Sequence, residues 1–347
     1  MYKWYALRRI GKGIVMFCLL ILTYSVLFNT VAENTLKGQI EEQVRMESQS
    51  KKNMLPEQLR NFQEERRKQL YSLYRLDKSW TERVIFRAID TVTFRFGKST
   101  IMKTQTGERE VIKIIMEALP RSVLLFSTAA VFEIVLGVWM GLKKAQKPGQ
   151  PLDRISSTVT MILYGLPTWW LGMMFIMLFV YQFKLFPSGG MYSVPMPEGF
   201  IMRLFDLFWH MVLPLATLIL IHFWSLAFVV RNIVLSILQE DYIMSARARG
   251  IPERKVLFGH TMRTAAPPLI TLALLSLLAS ISGSIIFEGI FSWPGLGNLY
   301  WVSIQQNDIP VLLGDLALTT GIYQAGLVIL DLTYGFMDPR IKVGGKA

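Results

Sequence analysis

Long runs of apolar residues dominate the chain and are separated by polar stretches. A helix that crosses the hydrocarbon layer of a membrane needs about 20 predominantly apolar residues. Six runs meet this requirement, and we predict a transmembrane helix in each: 10–31, 119–142, 155–181, 207–230, 268–291 and 311–333. The first run is too long for a signal peptide and no small-residue cleavage site follows it, so we predict a retained anchor. The pattern therefore predicts an all-α integral membrane protein.

The distribution of basic residues predicts how these helices are oriented. Short connections rich in Lys and Arg lie on the cytoplasmic side of a membrane. The second-to-third connection, the fourth-to-fifth connection and the C-terminal tail carry such an excess, whereas the other short connections do not. We therefore predict that both termini are cytoplasmic and that the segment after the first helix is extracytoplasmic.

The predicted organisation has four parts. They are the cytoplasmic N-terminus with the first transmembrane helix (1–31), an extracytoplasmic segment (32–110), a core with five further transmembrane helices (111–340), and a cytoplasmic tail (341–347). The core includes a long cytoplasmic loop (231–267). Between residues 56 and 75, apolar side chains recur at helical spacing. We expect a helical cap or docking platform in the extracytoplasmic segment.

Composition and charge placement agree with a membrane protein. The chain has 347 residues, of which 52% are hydrophobic and 18% charged, whereas soluble domains carry about 25% charged residues. The net charge is +12, but the basic residues flank apolar runs or mix with acids, so we expect no nucleic-acid partner. The single cysteine, Cys18, lies in an apolar run and can form no intrachain disulfide. Neither a Walker-type pattern nor a metal or catalytic constellation occurs in the sequence, so we expect no cofactor in this chain.

The predicted cytoplasmic loop contains the most informative motif. Residues 242–249 can form a short helix, and Gly250 followed by Pro252 is typical of a helix end. We expect Ser245, Ala246 and Gly250 to form a surface of small residues on which another protein can pack closely. The alternative is an ordinary solvated amphipathic loop.

This loop resembles the loop of ABC importer permeases that docks onto the nucleotide-binding subunit. The variant it matches is that of the dipeptide, oligopeptide and nickel permease family, in which Tyr-x-x-Thr/Ser-Ala-Arg-Ala-Lys/Arg-Gly precedes a His and a Pro. Met244 stands where the broader importer class has Glu. The resemblance implies a role in ATPase coupling for Asp241, Tyr242, Ser245, Ala246, Arg247, Ala248, Arg249, Gly250 and His260.

Two further strings are similar to the same family. One is 287–297, Phe-Glu-Gly-Ile-Phe-Ser-Trp-Pro-Gly-Leu-Gly, and the other is the ending 331–341, with Asp308 and Pro310 between them. The resemblance implies an outer gate or a binding-protein contact at Glu288, Trp293, Pro294, Gly295 and Gly297. The chain departs from the family in the outer segment. The Pro-Gly-Asp-Pro string usual after the first helix is absent, and Phe96-Gly97-Lys98-Ser99 replaces Gly-Asp-Leu-Gly-x-Ser.

The resemblance also implies an assembly. It predicts a six-helix permease of the type I importer fold, the first or "B" type subunit, in the cell membrane. Its partners would be a second homologous permease, two cytoplasmic ABC ATPase subunits that bind ATP and Mg²⁺, and an extracytoplasmic solute-binding protein. The chain itself would be non-catalytic, and its cargo a peptide or a related small solute such as a nickel chelate or an oligosaccharide.

Ionisable residues inside the apolar runs leave a second function open. Such residues normally face a cavity or a partner, and we expect Glu133 to line a pathway and Glu288 and Asp331 to form structural pairs. A proton-coupled secondary transporter would instead use Glu133 and His222 as its relay, although His222 is more typical of a hydrogen-bonded interior residue. We also expect His260 to hydrogen-bond within the cytoplasmic loop. A third alternative is a peptide sensor that binds through 32–110, which would leave the structured loop unexplained.

Overall fold

The described part of the chain is predominantly helical, with irregular connections and one isolated antiparallel bridge between Lys98 and Glu110. The structure is a computed structural model that describes residues 2–49, 51 and 55–337. The expected family ending at Asp338-Pro339-Arg340-Ile341 and the tail 341–347 lie outside these residues. The helices are α1 (Tyr2–Gln49), α2 (Pro56–Leu73), α3 (Trp80–Val92), α4 (Val111–Gln146), α5 (Pro151–Tyr164), α6 (Thr168–Phe175), α7 (Phe200–Leu238), α8 (Asp241–Ala248), α9 (Glu253–Lys255), α10 (Met262–Ala279), α11 (Ile285–Ile290), α12 (Leu296–Gln305) and α13 (Ile309–Met337).

The helices belong to two compact units. Unit 1 comprises the described residues up to Met116 and from Val302 onward, and in it α1 packs against α2, α3 and α13. Unit 2 is Glu117–Trp301, in which α7 contacts α5, α6, α8 and α10.

Five helices of the described residues are long and apolar enough to cross a membrane, and six if one bent pair counts as a single span. The five are Lys3–Val31, Val111–Gln146, Phe200–Leu238, Glu253–Ser282 and Ile309–Thr333. The bent pair, Pro151–Tyr164 and Thr168–Gln182, makes an angle of 97°. The third predicted span, 155–181, is therefore not one continuous helix. Pro167 explains the break, because it lacks a backbone N–H and restricts the residue before it.

The boundaries predicted for the fifth span and for the loop before it are wrong. Helical structure begins at Glu253, inside the predicted loop 231–267, and the apolar helix ends at Ser282 rather than at residue 291. Gly283 has a φ of +67°, which a helix does not accommodate. Ser284 then caps a separate short helix, α11, through its side chain. Pro268, which we expected to begin the span, lies inside α10, as does Pro267.

Helix α1 continues well beyond the first predicted span. It has 48 residues, which at 1.5 Å per residue make about 72 Å, more than twice the hydrocarbon thickness of about 30 Å. Its second part is supported by α2, whose helical character is as predicted, and by α3. Ile40, Val44, Leu70 and Leu76 form a buried apolar cluster there.

Ion pairs align the polar faces of the same three helices. Arg66 and Arg67 of α2 each bind a glutamate of α1, and Arg83 of α3 binds Glu33 of α1 at 2.7 Å. A hydrogen bond from Lys37 lowers the pKa of Glu33, with Arg83 adding to the effect, so Glu33 remains ionised at neutral pH.

A buried charge cluster joins helices of unit 2. The Asp153 carboxylate at the start of α5 receives hydrogen bonds from Arg231 of α7 at 2.8 and 3.2 Å and from the Gly149 N–H at 2.9 Å. Lys144 of α4 is buried nearby, and its Nζ has no hydrogen-bond partner among the described residues. The Arg231–Asp153 pair therefore satisfies the carboxylate, whereas the Lys144 ammonium lies over the Phe228 ring at 5.7 Å without a hydrogen bond to a described residue.

We predict opposite consequences of removing the two cations. Arg231→Met should lower the free energy of unfolding by about 3–5 kcal/mol, because it leaves a buried carboxylate without its partner. Lys144→Met should not lower it, because it replaces an unbonded buried ammonium with an apolar side chain of similar length. Thermal unfolding of the purified protein in detergent measures both. Equal losses of stability would contradict this assignment.

Candidate functional site

Helix α8 spans Asp241–Ala248, so each end lies one residue before that of the predicted helix 242–249. Asp241 lies in its first turn and Arg247 in its last, which complements the helix dipole. Gly250 has a φ of +74°, and the N–H groups of Gly250 and Ile251 donate to the carbonyls of Arg247 and Ala246. The predicted helix stop at Gly250 is therefore confirmed.

One face of α8 is buried against unit 2. Ile243 is fully buried in an apolar cluster that includes Val234, Val256 and Leu257. Ala246, one turn later, is also buried. The prediction that Ala246 belongs to an exposed surface of small residues is therefore wrong. Ile243 and Ala246 are three residues apart and so share the inward face.

The opposite face of α8 is exposed. It includes Tyr242, Ser245, Ala248 and Arg249. Two large apolar side chains accompany it. Met244 is 58% exposed, and Phe258, on the π-helical turn Val256–Thr261 that precedes α10, is 57% exposed. The exposure of Phe258 was not predicted, because an apolar residue close to a predicted span carries no signal of exposure.

Polar contacts hold the ends of α8 in place. The Arg247 guanidinium binds the Glu253 carboxylate through two hydrogen bonds of 2.6 and 3.1 Å. The hydroxyls of Tyr242 and Thr264 are 2.9 Å apart. His260 is exposed, and its ring makes no hydrogen bond within the described residues, so the hydrogen bond predicted for it is absent there.

A second group of predicted site residues forms a buried turn between α10 and α12. The Glu288 carboxylate is fully buried, which agrees with the structural role expected for it. It accepts hydrogen bonds from the Ser122 hydroxyl at 2.7 Å and from the Asn298 N–H at 2.9 Å. Ser122 in turn accepts one from the Leu296 N–H at 2.7 Å. The carboxylate thus fixes α4, α11 and the start of α12 together within unit 2.

Glycines let the backbone approach this carboxylate closely. A Cβ on Gly295 would lie 2.3 Å from Ser122 Oγ and 2.6 Å from Glu288 Oε2. One on Gly283 would lie 2.5 Å from Glu288 Oε1, and one on Gly297 would meet the Ser284 backbone at 2.4 Å. Side chains are therefore excluded at all three positions.

Trp293 completes the turn from the other side. Its indole is fully buried, and its Nε1–H donates to the Arg121 carbonyl at 2.9 Å. Pro294 is half-buried, whereas the neighbouring Ser292 is exposed. Of the five residues that the family string singles out here, four are buried, so they hold the turn and do not form its outer surface.

The two predicted relay residues are not joined. Glu133 on α4 is half-buried and makes no hydrogen bond or ion pair with the residues the structure describes. His222 on α7 is exposed and likewise makes none with them. The interior, hydrogen-bonded position predicted for His222 is therefore wrong. Asp331 does form the expected structural pair, with Arg9 at 3.1 Å.

An open cavity of about 1,090 Å³ lies in unit 1 beside α1 and α3. Arg87, Arg95, Lys98 and Arg109 line it without an ion pair to any described carboxylate, whereas Arg75 is paired with Asp90. Burial lowers the pKa of Arg87, whose guanidinium donates to the neutral side chain of Asn29 at 3.0 Å. Glu42 also lines the cavity, but the four basic residues without an ion pair outnumber it, so the cavity is electropositive.

Asp308, a buried carboxylate next in sequence to two residues that line this cavity, could not be interpreted from local sequence. Asp308 accepts hydrogen bonds from the Ser99 hydroxyl and from the N–H groups of Ile101 at 3.2 Å and Met102 at 3.3 Å. Ser99 ends the string that departs from the family pattern. Although this string differs from the family pattern, it keeps the final serine, whose hydroxyl binds Asp308.

Comparison with known proteins places these features in a family. The family described as "Binding-protein-dependent transport system inner membrane component" matches residues 133–343. The oligopeptide transport system permease protein AppB of Bacillus subtilis is 32% identical over 247 residues, which cover 71% of this chain and 76% of AppB. The dipeptide transport system permease protein DppB of the same organism is 32% identical over 292 residues, which cover 82% of this chain and 89% of DppB.

A solved structure is also similar to part of the chain. A chain of the inward-facing MetNI methionine ABC transporter has 18% sequence identity and a TM-score of 0.45, with 63% of this chain and 97% of that chain covered.

The buried turn gives a matched pair of glycine substitutions. Gly295→Ala should destabilise the protein by about 1–3 kcal/mol, because the new methyl group displaces Ser122 or Glu288 and leaves buried donors unpaired. Gly289→Ala should be neutral or stabilising, because a Cβ there meets nothing within 4 Å and the residue is helical. Thermal unfolding in detergent compares the two. A Gly295→Ala protein as stable as Gly289→Ala would show that the turn is not closely packed.

Proposed function

Because this chain belongs to the family of binding-protein-dependent transport system inner membrane components, we propose that it is the first permease subunit of an ABC importer for peptides. In this proposal it forms the pathway with a second homologous permease. Two cytoplasmic ABC ATPase subunits bind ATP and Mg²⁺ and drive it, and an extracytoplasmic solute-binding protein delivers the cargo. The names of AppB and DppB, which specify oligopeptides and dipeptides, support a peptide cargo.

The observation that carries this proposal is the two-faced helix α8. Its inner face is anchored by Ile243 and Ala246, whereas its outer face presents Tyr242, Met244 and Ser245. Exposed apolar patches with polar surroundings typically bind other proteins. We assign the outer face to an ATPase subunit, with Asp241, Ala248, Arg249, Gly250 and His260 at its exposed edges and Arg247 holding the helix end.

The anchoring of α8 suggests how force is transmitted. A helix tied to α7 and to the π-helical turn before α10 moves as one body with them when its outer face is displaced. Closure of an ATPase pair would thus tilt these helices and switch the pathway between inward and outward openings, as a two-state rearrangement.

The buried turn around Glu288 suits an outer gate better than a direct docking surface. A rigid corner is formed by Glu288, Trp293, Gly295 and Gly297, and the neighbouring Pro294 and Ser292 are the residues available to touch a cargo or a partner.

Glu133 is proposed to line the pathway, because a carboxylate at mid-membrane costs roughly 2.5–3.5 kcal/mol and needs water or a partner. The proton-relay alternative has less support, because neither Glu133 nor His222 bonds to a described residue.

The electropositive cavity of unit 1 is a candidate contact for the solute-binding protein. Arg95, Lys98 and Arg109 are exposed at it and lie in the segment predicted to be extracytoplasmic. Complementary charge accelerates the encounter of two proteins. An acidic patch on the binding protein would match this surface.

We predict that bulk on the outer face of α8 uncouples the transporter. Ser245→Trp should abolish peptide-stimulated ATP hydrolysis in liposomes that contain the purified complex, because the indole separates α8 from the ATPase. Ser245→Ala should retain it, since the side chain stays small. Both variants should insert into the membrane and unfold like the unmodified protein, because Ser245 is exposed.

Normal peptide-stimulated ATP hydrolysis by a complex that carries Ser245→Trp would contradict the proposed role of α8. Stimulation by a nickel chelate or an oligosaccharide, with no response to peptides of any length, would contradict the proposed cargo while leaving the role of α8 intact.

We also predict that charge reversal at the cavity weakens docking of the binding protein. Lys98→Glu should slow association several-fold at low salt, and the difference should shrink as ionic strength rises. Lys103→Glu is the matched control, because Lys103 is exposed but does not line the cavity. Surface plasmon resonance on the reconstituted complex measures both. Equal effects of the two variants would remove the cavity from the docking surface.

A further inference from the structure

A groove lies between the N-terminal part of α1 and the C-terminal part of α13, within unit 1. Its volume is about 540 Å³. Its apolar walls include Met16 and Leu19 of α1 and Leu327 and Val328 of α13. Lys12, Arg9 and Asp331 lie at its polar end. The groove thus has a charged end and an apolar interior.

Two glycines create this shape. A Cβ on Gly13 would lie 2.6 Å from Val328 Cγ2, so Gly13 allows α1 and α13 to touch. A Cβ on Gly11 would meet nothing within 4 Å, so Gly11 leaves the space beside that contact open. The groove therefore forms because Gly13 lets α1 and α13 touch and because Gly11 has no side chain to fill the space beside that contact.

The length of the groove corresponds to one leaflet of a membrane. Arg9 and Leu19 are ten residues apart on α1, which makes about 15 Å along the helix. This is half of the hydrocarbon thickness of about 30 Å. A transmembrane helix of another subunit would need both leaflets, whereas one acyl chain needs only one.

The charged end carries an excess of positive charge. Arg9 and Asp331 form an ion pair at 3.1 Å and offset each other. Lys12 is exposed and forms no ion pair with the described residues. The first 31 residues contain Lys3, Arg8, Arg9 and Lys12 and no acidic residue. An anion at the membrane surface would complement this end of the groove.

We propose that the groove is a binding site for an anionic phospholipid. One acyl chain lies along Met16, Leu19 and Leu327, and the phosphate lies beside Lys12 and Arg9. Basic pockets between transmembrane helices bind anionic headgroups in this way. A bound lipid would bridge α1 and α13 and so stabilise the helix pair on which unit 1 is built.

Lipid retention by the purified transporter complex tests this site. The complex is taken from nanodiscs of phosphatidylcholine and phosphatidylglycerol in equal amounts, and its retained lipids are counted by native mass spectrometry. The unmodified complex should retain phosphatidylglycerol selectively. Lys12→Gln should lower that retention about fivefold, since one basic residue near the surface contributes about 1 kcal/mol. Gly11→Leu should abolish it by filling the groove.

Arg8→Gln is the matched control. It removes the same charge from a neighbouring residue that is exposed but does not line the groove, so retention should stay unchanged. Equal retention of the two lipids, or an equal loss in Arg8→Gln and Lys12→Gln, would overturn the proposal in favour of general surface attraction. A photo-cross-linker attached at Gly11→Cys that captures the second permease instead of lipid would overturn it as well. These results are independent of transport, so they do not depend on the identity of the cargo.

Discussion

Transmission of force through α8 depends on the burial of Ile243 and Ala246 against the rest of unit 2. A short helix in a connecting loop can transmit a displacement only if it is attached to the helices that must move. Full burial of one isoleucine side chain contributes about 1.5–3 kcal/mol, and the Arg247–Glu253 hydrogen bonds add a polar attachment at the other end of α8. An exposed face and a firmly packed face therefore coexist on a helix of only 8 residues.

Buried carboxylates fix the positions of segments elsewhere in the molecule. Glu288, Asp308 and Asp153 are each buried, and each accepts hydrogen bonds from a side chain and from backbone N–H groups. A buried charge without such partners is costly, so each carboxylate specifies the position of the segments that donate to it. Gly283 and Gly295 let the backbone come close to the Glu288 carboxylate, because neither residue has a side chain.

Features with a local cause could be predicted from sequence. The six apolar runs, the end of α8 at Gly250 and the helical character of α2 all depend on nearby residues, and the family resemblance was confirmed. The chain direction change at Gly283 was missed, because hydropathy does not register a backbone of positive φ inside an apolar run.

Features that depend on distant residues could not be predicted. The inward orientation of Ala246 is set by packing against segments before and after α8. The partner of Glu288 is Ser122, 166 residues away in sequence. The alternative of a proton relay through Glu133 and His222 depended on both being ionisable residues in apolar runs, yet nothing in a single sequence indicates which way a helix presents them.

Cross-linking tests whether α8 is rigidly attached to the rest of unit 2. In a Cys18→Ser background, Tyr242→Cys and Thr264→Cys can be joined by a short bifunctional thiol linker, because the native hydroxyls at these positions are 2.9 Å apart. Because Tyr242 lies on the outer face of α8, the reference is the same two cysteines each carrying a monofunctional reagent that adds equal bulk there. If α8 and α10 move as one body, ATP-driven uptake in proteoliposomes should be the same with the linker as with that reagent. Loss of uptake on cross-linking, with recovery when a cleavable linker is cut, would show that α8 must move relative to α10 and would contradict the account.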